Sequence, residues 1–410
     1  MTTTRQATPP AAEADDRREG VRGVFLVFLR LGLTSFGGPI AHLGYFRDEF
    51  VVRRRWLSEQ SYADLVALCQ FLPGPASSQV GMALGLSRHG YSGAFAAWAG
   101  FTLPSAIALI LFALGISSHA TAIPMGTLHG LRIVAVAVVA QAVWSMTKSL
   151  CADIPRMTIM ALTAGITLLV PSVPGQVGII ATSGVAGLLL FKPEPAKDHD
   201  PLPVTVSHRG GVLWLTLFFG LLAGLPMLAA LLPYQAVADV SAFFRSGALV
   251  FGGGHVVLPL LQTAVVPPGW VDNDAFLAGY GAAQAVPGPL FTFAAFLGAS
   301  MNVAPSGWCG GMVCLLAIFA PSFLLVTGVL PFWERLRCNV RTRAALMGVN
   351  AAVVGLLWAA LYHPLWTGAI HQPQDFDIAL IAFIALMFWK LPSWLVVVGS
   401  GMAGWLVSLP

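Results

Sequence analysis

Apolar runs of about 20 residues recur along nearly the whole chain, and short polar segments separate them. A helix of this length crosses the roughly 30 Å hydrocarbon core of a bilayer. One such stretch, residues 62–86, contains a single charged side chain, Asp64. The pattern predicts an all-α protein with many membrane segments.

Two of these runs are interrupted at their midpoints by proline and glycine. The stretch "QFLPGPASSQ" begins at Gln70, and "QAVPGPLFTF" begins at Gln284. Residues 62–72 form about 16 Å of helix, which is half of the hydrocarbon core. We therefore expect the break near the membrane centre, where its freed backbone groups need partners other than lipid.

The interruptions belong to an internal repeat. "FLRLGLTSFGG" (28–38) aligns with "FFRSGALVFGG" (243–253) 215 positions later, and the two Pro-Gly-Pro motifs are 214 positions apart. Pro104-Ser105 recurs as Pro321-Ser322 after 217 positions. A shared offset over about 80 residues indicates two homologous halves. The predicted segments are a polar N-terminus (1–20), a first repeat (21–191), a linker (192–211), a connecting transmembrane helix (212–232) and a second repeat (241–409).

The connecting helix affects topology, because one added span between two repeats inverts the second. Counting every apolar run as a crossing gives 13 crossings. If the Gly-Gly and Pro-Gly-Pro segments are instead hairpins that enter and return, nine crossings remain. The nine-crossing interpretation agrees better with the positive-inside rule, because it places most basic segments on one side: the N-terminus, 47–56, Arg88, Lys148, Arg156, 192–211, 335–343 and Lys390.

Composition supports the membrane assignment and narrows the function. The chain is 57% hydrophobic and 10% charged, whereas soluble domains contain about 25% charged residues. No signal-peptide pattern is present. The five cysteines form no CxxC pair, so we predict no disulfide, metal site or cofactor. An enzyme would need a catalytic dyad or metal cluster at membrane depth, and none is found. We expect a small anion and membrane lipid as partners, and no nucleic acid.

The broken helices predict an anion site. A half-helix that starts after Pro75, and its counterpart after Pro289, would each point unpaired N–H groups and a positive dipole end at the midplane. Two converging helix N-termini are suited to an anion. The alternative is a proline kink that serves only helix packing.

Basic residues within or near the apolar runs are further candidates. Arg30 and Arg245 are equivalent positions of the two repeats, and Arg30 shares one helical face with Thr34 and Gly37. Arginine in a membrane segment is costly and usually functional, and its guanidinium suits an oxyanion. The alternative is that these arginines snorkel to the interface. Arg132 is a weaker candidate.

Other polar residues near the motifs are accessory candidates. His42 and His255 follow the glycine motifs, and Asp64 lies in the first Pro-Gly-Pro segment. Each is suited to carrying a proton, although a satisfied buried polar residue is the simpler interpretation. Asn350 is a further polar candidate. The glycine motifs themselves also suit close helix packing.

These stretches resemble the chromate ion transporter family. The residues concerned are "FLRLGLTSFGGPIAHLGYFRDEF" (28–50), "LPGPASSQ" (72–79), "FGGGHVVLPLL" (251–261) and "VPGP" (286–289). The resemblance covers 24–409 and implies the long-chain, two-domain type, a bacterial inner-membrane protein that exports chromate and confers resistance. The family is commonly drawn with about a dozen crossings. The motifs imply these site residues: Arg30, Gly37, Gly38, Pro39, His42, Pro73, Gly74, Pro75, Gln79, Gly252, Gly253, Gly254, His255, Pro287, Gly288 and Pro289.

The two halves depart from each other within these motifs. Gly254 stands where the first half has Pro39, and "LFTF" replaces "ASSQ" after the second Pro-Gly-Pro. We therefore expect the halves to contribute unequally to the site.

Electrostatics favours export of a dianion. Moving one charge through 100 mV is worth about 2.3 kcal/mol, so a dianion that leaves a negative-inside cell gains about 4.6 kcal/mol. Sulfate has the same shape and charge as chromate, so the residues leave open an importer or exchanger of sulfate or a related oxyanion, proton-coupled through Asp64, His42 or His255. A passive channel is a further alternative. The oligomeric state also stays open, and a homodimer is one allowed assembly.

Overall fold

The protein is described by a computed structural model that covers residues 20–118, 125–170, 172–193, 206–251, 254–333, 336 and 339–408. These residues form helices and contain no strand, which confirms the predicted all-α fold. The helices are α1 Val21–Thr34, α2 Gly38–Arg47, α3 Glu59–Phe71, α4 Ala76–Ser118, α5 Met125–Leu150, α6 Ile154–Leu169, α7 Val173–Leu190, α8 His208–Leu231, α9 Gln235–Ala248, α10 Val257–Val265, α11 Asn273–Ala283, α12 Phe293–Ala299, α13 Gly307–Val329, α14 Val340–Ala360, α15 Pro373–Met387 and α16 Ser393–Val407.

Several helices begin at side-chain caps. Ser58 caps α3 and Asp153 caps α6, because each side chain accepts a hydrogen bond from a backbone N–H of the first turn. Ser207 caps α8 in the same way. The cap explains why α8 starts at His208, within the predicted linker, and not at residue 212. On α8, only Gly211 and Phe218 are buried, so this connecting helix is peripheral.

Helices α1 and α2 form a helical hairpin, in which the chain reverses its direction. The ring centroid of Phe28 lies 5.6 Å from that of Phe46 and 5.0 Å from that of Phe50. A continuous helix would separate residues 28 and 50 by about 33 Å. The chain therefore reverses at the Gly-Gly break, as the hairpin interpretation predicts.

Helix α3 and the first part of α4 form a second hairpin. The guanidinium of Arg88 stacks 4.8 Å from the ring of Trp56, so the end of this part of α4 lies beside the segment that precedes α3. The helix then breaks at His89 and Gly90, whose backbone angles are not helical. Residues 91–118 continue as a separate long helix.

The second repeat contains the same two hairpins, because α9 packs against α10 and α11 packs against α12. The N–H of Asn302, after α12, donates to the carbonyl of Trp270, before α11, at 2.9 Å. Trp270 and Asn302 stand 214 positions after Trp56 and Arg88. The structure therefore repeats at the offset found in the sequence.

Within the described ranges, five segments are long and apolar enough to cross a membrane: Ala76–Ile116, Gly126–Leu150, His208–Leu231, Gly307–Phe332 and Val340–Ala369. Helices α6, α7, α15 and α16, which also lie outside the hairpins, contain 16, 18, 15 and 15 residues. With the hairpins set aside, this arrangement is the one that the nine-crossing interpretation describes.

Candidate functional site at the crossing of the four hairpins

The four chain breaks meet in a reciprocal arrangement. The N–H of Gly74 donates to the carbonyl of Val250 at 2.7 Å, and the N–H of Gly288 donates to the carbonyl of Ser35 at 3.0 Å. Gly74 and Gly288 are equivalent positions of the repeats, and so are Ser35 and Val250. Each half therefore satisfies the broken backbone of the other, and an approximate twofold rotation relates them. We call the breaks at 35–39, 72–75, 249–251 with Gly254, and 286–290 the crossing.

Both Pro-Gly-Pro motifs require glycine at their centres. The φ angles of Gly74 and Gly288 are 127° and 103°, a region that side chains with a Cβ rarely adopt. A Cβ on Gly74 would collide with the hydroxyl of Ser322, and one on Gly288 would lie 2.8 Å from the hydroxyl of Ser105. Each motif thus packs on the long helix of the opposite half.

The glycine motifs of the two halves also meet. A Cβ on Gly254 would lie 3.5 Å from the ring of Pro39, which places the two equivalent positions side by side. The N-cap Gly37 of α2 is left-handed, with φ 101°, and Gly38 follows with φ 77°. Gly252 and Gly253 lie outside the described residues.

The start of α4 faces the crossing. Gln79 is fully buried, and its side-chain amide donates to the carbonyl of Pro73 at 2.8 Å. Its own N–H donates to the carbonyl of Pro75 at 3.0 Å. The earlier N–H groups of α4 have no acceptor within the helix, so a positive dipole end remains at this point.

His42 joins the first two breaks. The side chain is buried, with one ring nitrogen 3.4 Å from the hydroxyl of Ser77 and the other 3.2 Å from the carbonyl of Ser35. Its edge faces the ring of Phe101 at 5.3 Å. His42 therefore links α2 to the first turn of α4, and in this conformation it has its own partners.

A set of buried hydroxyl groups near the crossing lacks partners. Ser35 is 0% exposed, as is Ser322. Within the described part of the chain, the following buried side-chain oxygens at or next to the crossing have no hydrogen-bond partner: Ser35 Oγ, Ser78 Oγ, Gln79 Oε1, Thr102 Oγ1 and Ser322 Oγ. Unpaired buried polar groups are rare in native proteins, so these hydroxyls are available donors for a ligand.

Sequence reasoning missed these hydroxyls, although a signal was present. Pro104-Ser105 and Pro321-Ser322 had been identified as repeat equivalents, and Ser77 and Ser78 directly follow the first Pro-Gly-Pro. The missing information was which helix packs against which motif.

The second half does not mirror the first in detail. After Pro289 the chain forms a 3₁₀ turn, Leu290–Thr292, before the seven-residue α12. The N–H and the hydroxyl of Thr292 both donate hydrogen bonds to the carbonyl of Pro289. Phe291 and Phe293 are fully buried. The prediction of a half-helix that starts directly after Pro289 is therefore corrected, because a 3₁₀ turn stands there, whereas the expected inequality of the two halves agrees with this difference. The remaining motif residues of this half are Pro287, beside Gly288, and His255, whose Nδ1 lies 2.7 Å from the Tyr280 hydroxyl.

Arg30 forms an ion pair. Its guanidinium contacts the carboxylate of Glu49 at 2.7 Å, and Arg53 and Arg54 contact the same carboxylate at 3.3 and 2.8 Å. Burial raises the pKa of Glu49, but the hydrogen bond from Arg54 and the charges of Arg30 and Arg53 outweigh it, so the pKa is lowered overall. The hydroxyl of Thr34 bonds the carbonyl of Arg30. The structure therefore gives Arg30 and Thr34 contacts within the first hairpin.

Arg245 differs from its counterpart. It is half-buried on α9, one turn before the break, and no ion pair to it is found among the described residues. Arg132 pairs with Asp274 at 2.9 Å. Asp64 is buried and accepts a hydrogen bond from the indole of Trp333 at 3.0 Å.

The remaining polar candidate, Asn350, is half-buried on α14. Within the described ranges, no group of three or more His, Cys, Asp or Glu residues is placed to hold a metal ion.

Comparisons with known proteins follow the same division into halves. The chromate transporter family profile matches residues 22–188 and 239–405. A chromate transport protein of Pseudomonas aeruginosa is 29% identical, and the alignment covers 98% of this chain and 96% of that protein. A probable chromate transport protein of Synechococcus elongatus is 28% identical over 92% of this chain and 93% of its own length. An uncharacterized transporter of Methanocaldococcus jannaschii is 28% identical, with 94% of each chain covered.

No solved structure matches the chain. The family profile accounts for both halves, including all four chain breaks of the crossing. The chain therefore belongs to the chromate transporter family, and each of its halves is one repeat of that family.

Proposed function

We propose that this protein is a secondary transporter that exports chromate and that the crossing binds the anion. The observation that supports this most directly is the set of unpaired buried hydroxyls, Ser35 and Ser322 among them, where the broken backbones of both halves meet. The relatives from Pseudomonas aeruginosa and Cupriavidus metallidurans are named chromate transport proteins, and the one from Synechococcus elongatus is named a probable chromate transport protein.

The chemistry of the crossing suits a tetrahedral oxyanion. Hydroxyl groups and N–H groups of a helix start are donors, and the anion supplies only acceptors. Neutral donors around a dianion avoid a permanent ion pair, so the anion can leave again. The motif residues predicted from the sequence, including Pro73, Gly74 and Pro75, then act by placing these donors, and Arg245, one turn before the break, is a candidate for a charged contact.

The direction follows from the membrane potential. At 100 mV, a dianion that leaves the cell gains about 4.6 kcal/mol, a factor of about 10³ in the concentration ratio. We therefore assign export, resistance to chromate, and a bacterial inner membrane with the N-terminus and the 192–211 linker in the cytoplasm. The repeat bounds 21–191 and 241–409 are part of the same proposal.

The test is radiolabelled chromate uptake into inside-out vesicles, with Ser35→Ala and Ser322→Ala compared with wild type. Losing a hydrogen bond to a charged ligand costs about 1.5–3 kcal/mol, so we expect the apparent KM to rise about 10- to 150-fold. Removing an unpaired buried hydroxyl should leave thermal stability unchanged or higher.

Thr167→Val is the matched control, because Thr167 also carries a buried unpaired hydroxyl but lies on α6. Its KM should stay at the wild-type value. Unchanged KM in both serine variants, with normal amounts of protein in the membrane, would remove the crossing as the binding site.

Sulfate is the second candidate substrate, because hydroxyl donors do not separate two tetrahedral dianions. Counterflow in proteoliposomes distinguishes the cases. Labelled sulfate exchanging for chromate at equal rates would support an oxyanion exchanger, whereas chromate flux unaffected by sulfate would support a chromate exporter.

A further inference from the structure

Asp239, on α9, is a fully buried acid outside the crossing. It is 0% exposed, and one carboxyl oxygen accepts a hydrogen bond from the side chain of Gln235 at 2.8 Å. The other oxygen, Oδ2, has no partner in the described part of the chain. No ion pair joins Asp239 to a basic side chain among those residues.

This environment favours the neutral acid. An ionised carboxylate that is removed from water needs a counter-charge or several donors, and here it has one neutral amide. The protonated carboxyl group is neutral, so burying it with one unpaired oxygen costs much less free energy. This conformation therefore favours protonation of Asp239.

Few other titratable groups face Asp239. Helix α9 packs against α8, α10 and α13. From α13, the thiol of Cys314 lies within electrostatic range of Asp239. Helix α10 contains no titratable residue, and those of α8, His208 and Arg209, stand at its opposite end. On α9 itself, Arg245 lies six residues further on, on another face of the helix.

Packing does not require an acid at this position. The equivalent residue of the first repeat, 215 positions earlier, is Val24, which is 1% exposed. An apolar side chain therefore fills the same place in the other half. An ionisable group in a membrane segment is costly and is usually kept for a function.

The position of Asp239 connects it to the crossing. It stands ten residues before Leu249, about 15 Å along the helix. It therefore lies near the outer end of the hairpin, which is the end away from the crossing. The next residue after Leu249, Val250, accepts the hydrogen bond from Gly74. A movement of α9 that brings Asp239 to water would thus act on the contact between the halves.

We propose that Asp239 is a proton-binding site that takes up a proton from water at the outer end of its hairpin and releases it when the transporter changes conformation. Proton entry then accompanies anion exit. This rests on the proposed transport activity but not on which oxyanion is carried.

The test uses the full-length protein in proteoliposomes loaded with radiolabelled chromate, with the potential clamped and a pH electrode in weakly buffered medium. Wild type should move protons in step with chromate. Asp239→Asn should lower the number of protons moved per chromate at least tenfold, whereas Asp377→Asn, which changes an exposed acid on α15, should keep the wild-type ratio. A wild-type ratio in Asp239→Asn refutes the proposal.

A second measurement needs no variant and no transport. Dicyclohexylcarbodiimide modifies protonated carboxyl groups in apolar surroundings, so mass spectrometry of wild-type protein should find the adduct on Asp239, decreasing as pH rises. An unmodified Asp239 at every pH overturns the proposal. Chromate flux without proton movement refutes the coupling of proton entry to anion exit. If chromate flux is absent but Asp239 is labelled, only the proposed substrate is refuted.

Discussion

The crossing makes a quantitative prediction for Gly74→Ala. The substitution places a Cβ on a residue with φ 127°, and such backbone strain costs about 1–3 kcal/mol. The Cβ also displaces the Ser322 hydroxyl and the Gln79 amide. The amide then loses its hydrogen bond to Pro73, worth about 0.5–1.5 kcal/mol.

The two costs add to about 1.5–4.5 kcal/mol at the point where the halves meet. If the conformations needed for transport bear the whole cost, chromate flux falls about 13- to 2,000-fold, because 1.36 kcal/mol corresponds to one factor of ten. Flux is measured in inside-out vesicles and divided by the amount of protein in the membrane.

Gly269→Ala is the control for backbone strain at a position away from the crossing. Gly269 also has a positive φ, 77°, but nothing lies within 4 Å of its added Cβ. This control should lose some stability and less than about half of its flux per molecule. Wild-type flux in Gly74→Ala, at normal abundance, would show that the reciprocal contact between the halves does not matter for transport.

Three further predictions concern charged residues. Glu49→Gln should lower the free energy of unfolding at neutral pH by about 1–3 kcal/mol. Because the folded pKa of Glu49 is lowered, thermal unfolding should show this difference from wild type vanishing only as pH falls below the ordinary carboxyl range. A difference that stays constant with pH would contradict the ion-pair cluster. Arg245→Ala should reduce flux about 10- to 150-fold through loss of a charge-assisted contact, with Arg245→Lys intermediate, and equal flux in all three proteins would exclude a role in binding. Asp274→Asn breaks the pair with Arg132, in which the carboxylate is mostly exposed and the arginine side chain is 18% exposed; such a partly exposed pair is worth about 1 kcal/mol, so flux should change about fivefold or less, and a larger loss would place Arg132 in the transport path.

The architecture was predictable from the sequence because it depends on repeated, local signals. The apolar runs, the 214-residue offset and the proline and glycine breaks are all visible in one chain. The contacts of Trp56 with Arg88 and of Trp270 with Asn302 then show the hairpins that the distribution of Lys and Arg had favoured.

The site was less predictable, because its contacts join residues far apart in the chain. Intramembrane arginine suggested a ligand, but Glu49, 19 residues away, pairs with Arg30. Asp239 was overlooked because its neighbours in sequence are not those of any motif. The replacement of "ASSQ" by "LFTF" did indicate unequal halves, but only the fold shows that the segment after the second Pro-Gly-Pro begins with a 3₁₀ turn.

The reciprocal hydrogen bonds of Gly74 and Gly288 also limit how the two halves can move. Each bond satisfies a backbone N–H where water is scarce, and an unsatisfied group in the hydrocarbon layer costs several kcal/mol. A rocking motion that broke both bonds would bear that cost twice, whereas one that pivots about them would bear none. We therefore expect the donors at the crossing to stay in place while the ends of the hairpins away from it, at Trp56 and Trp270, move. An anion held at this pivot would be exposed first to one side and then to the other without losing its binding site.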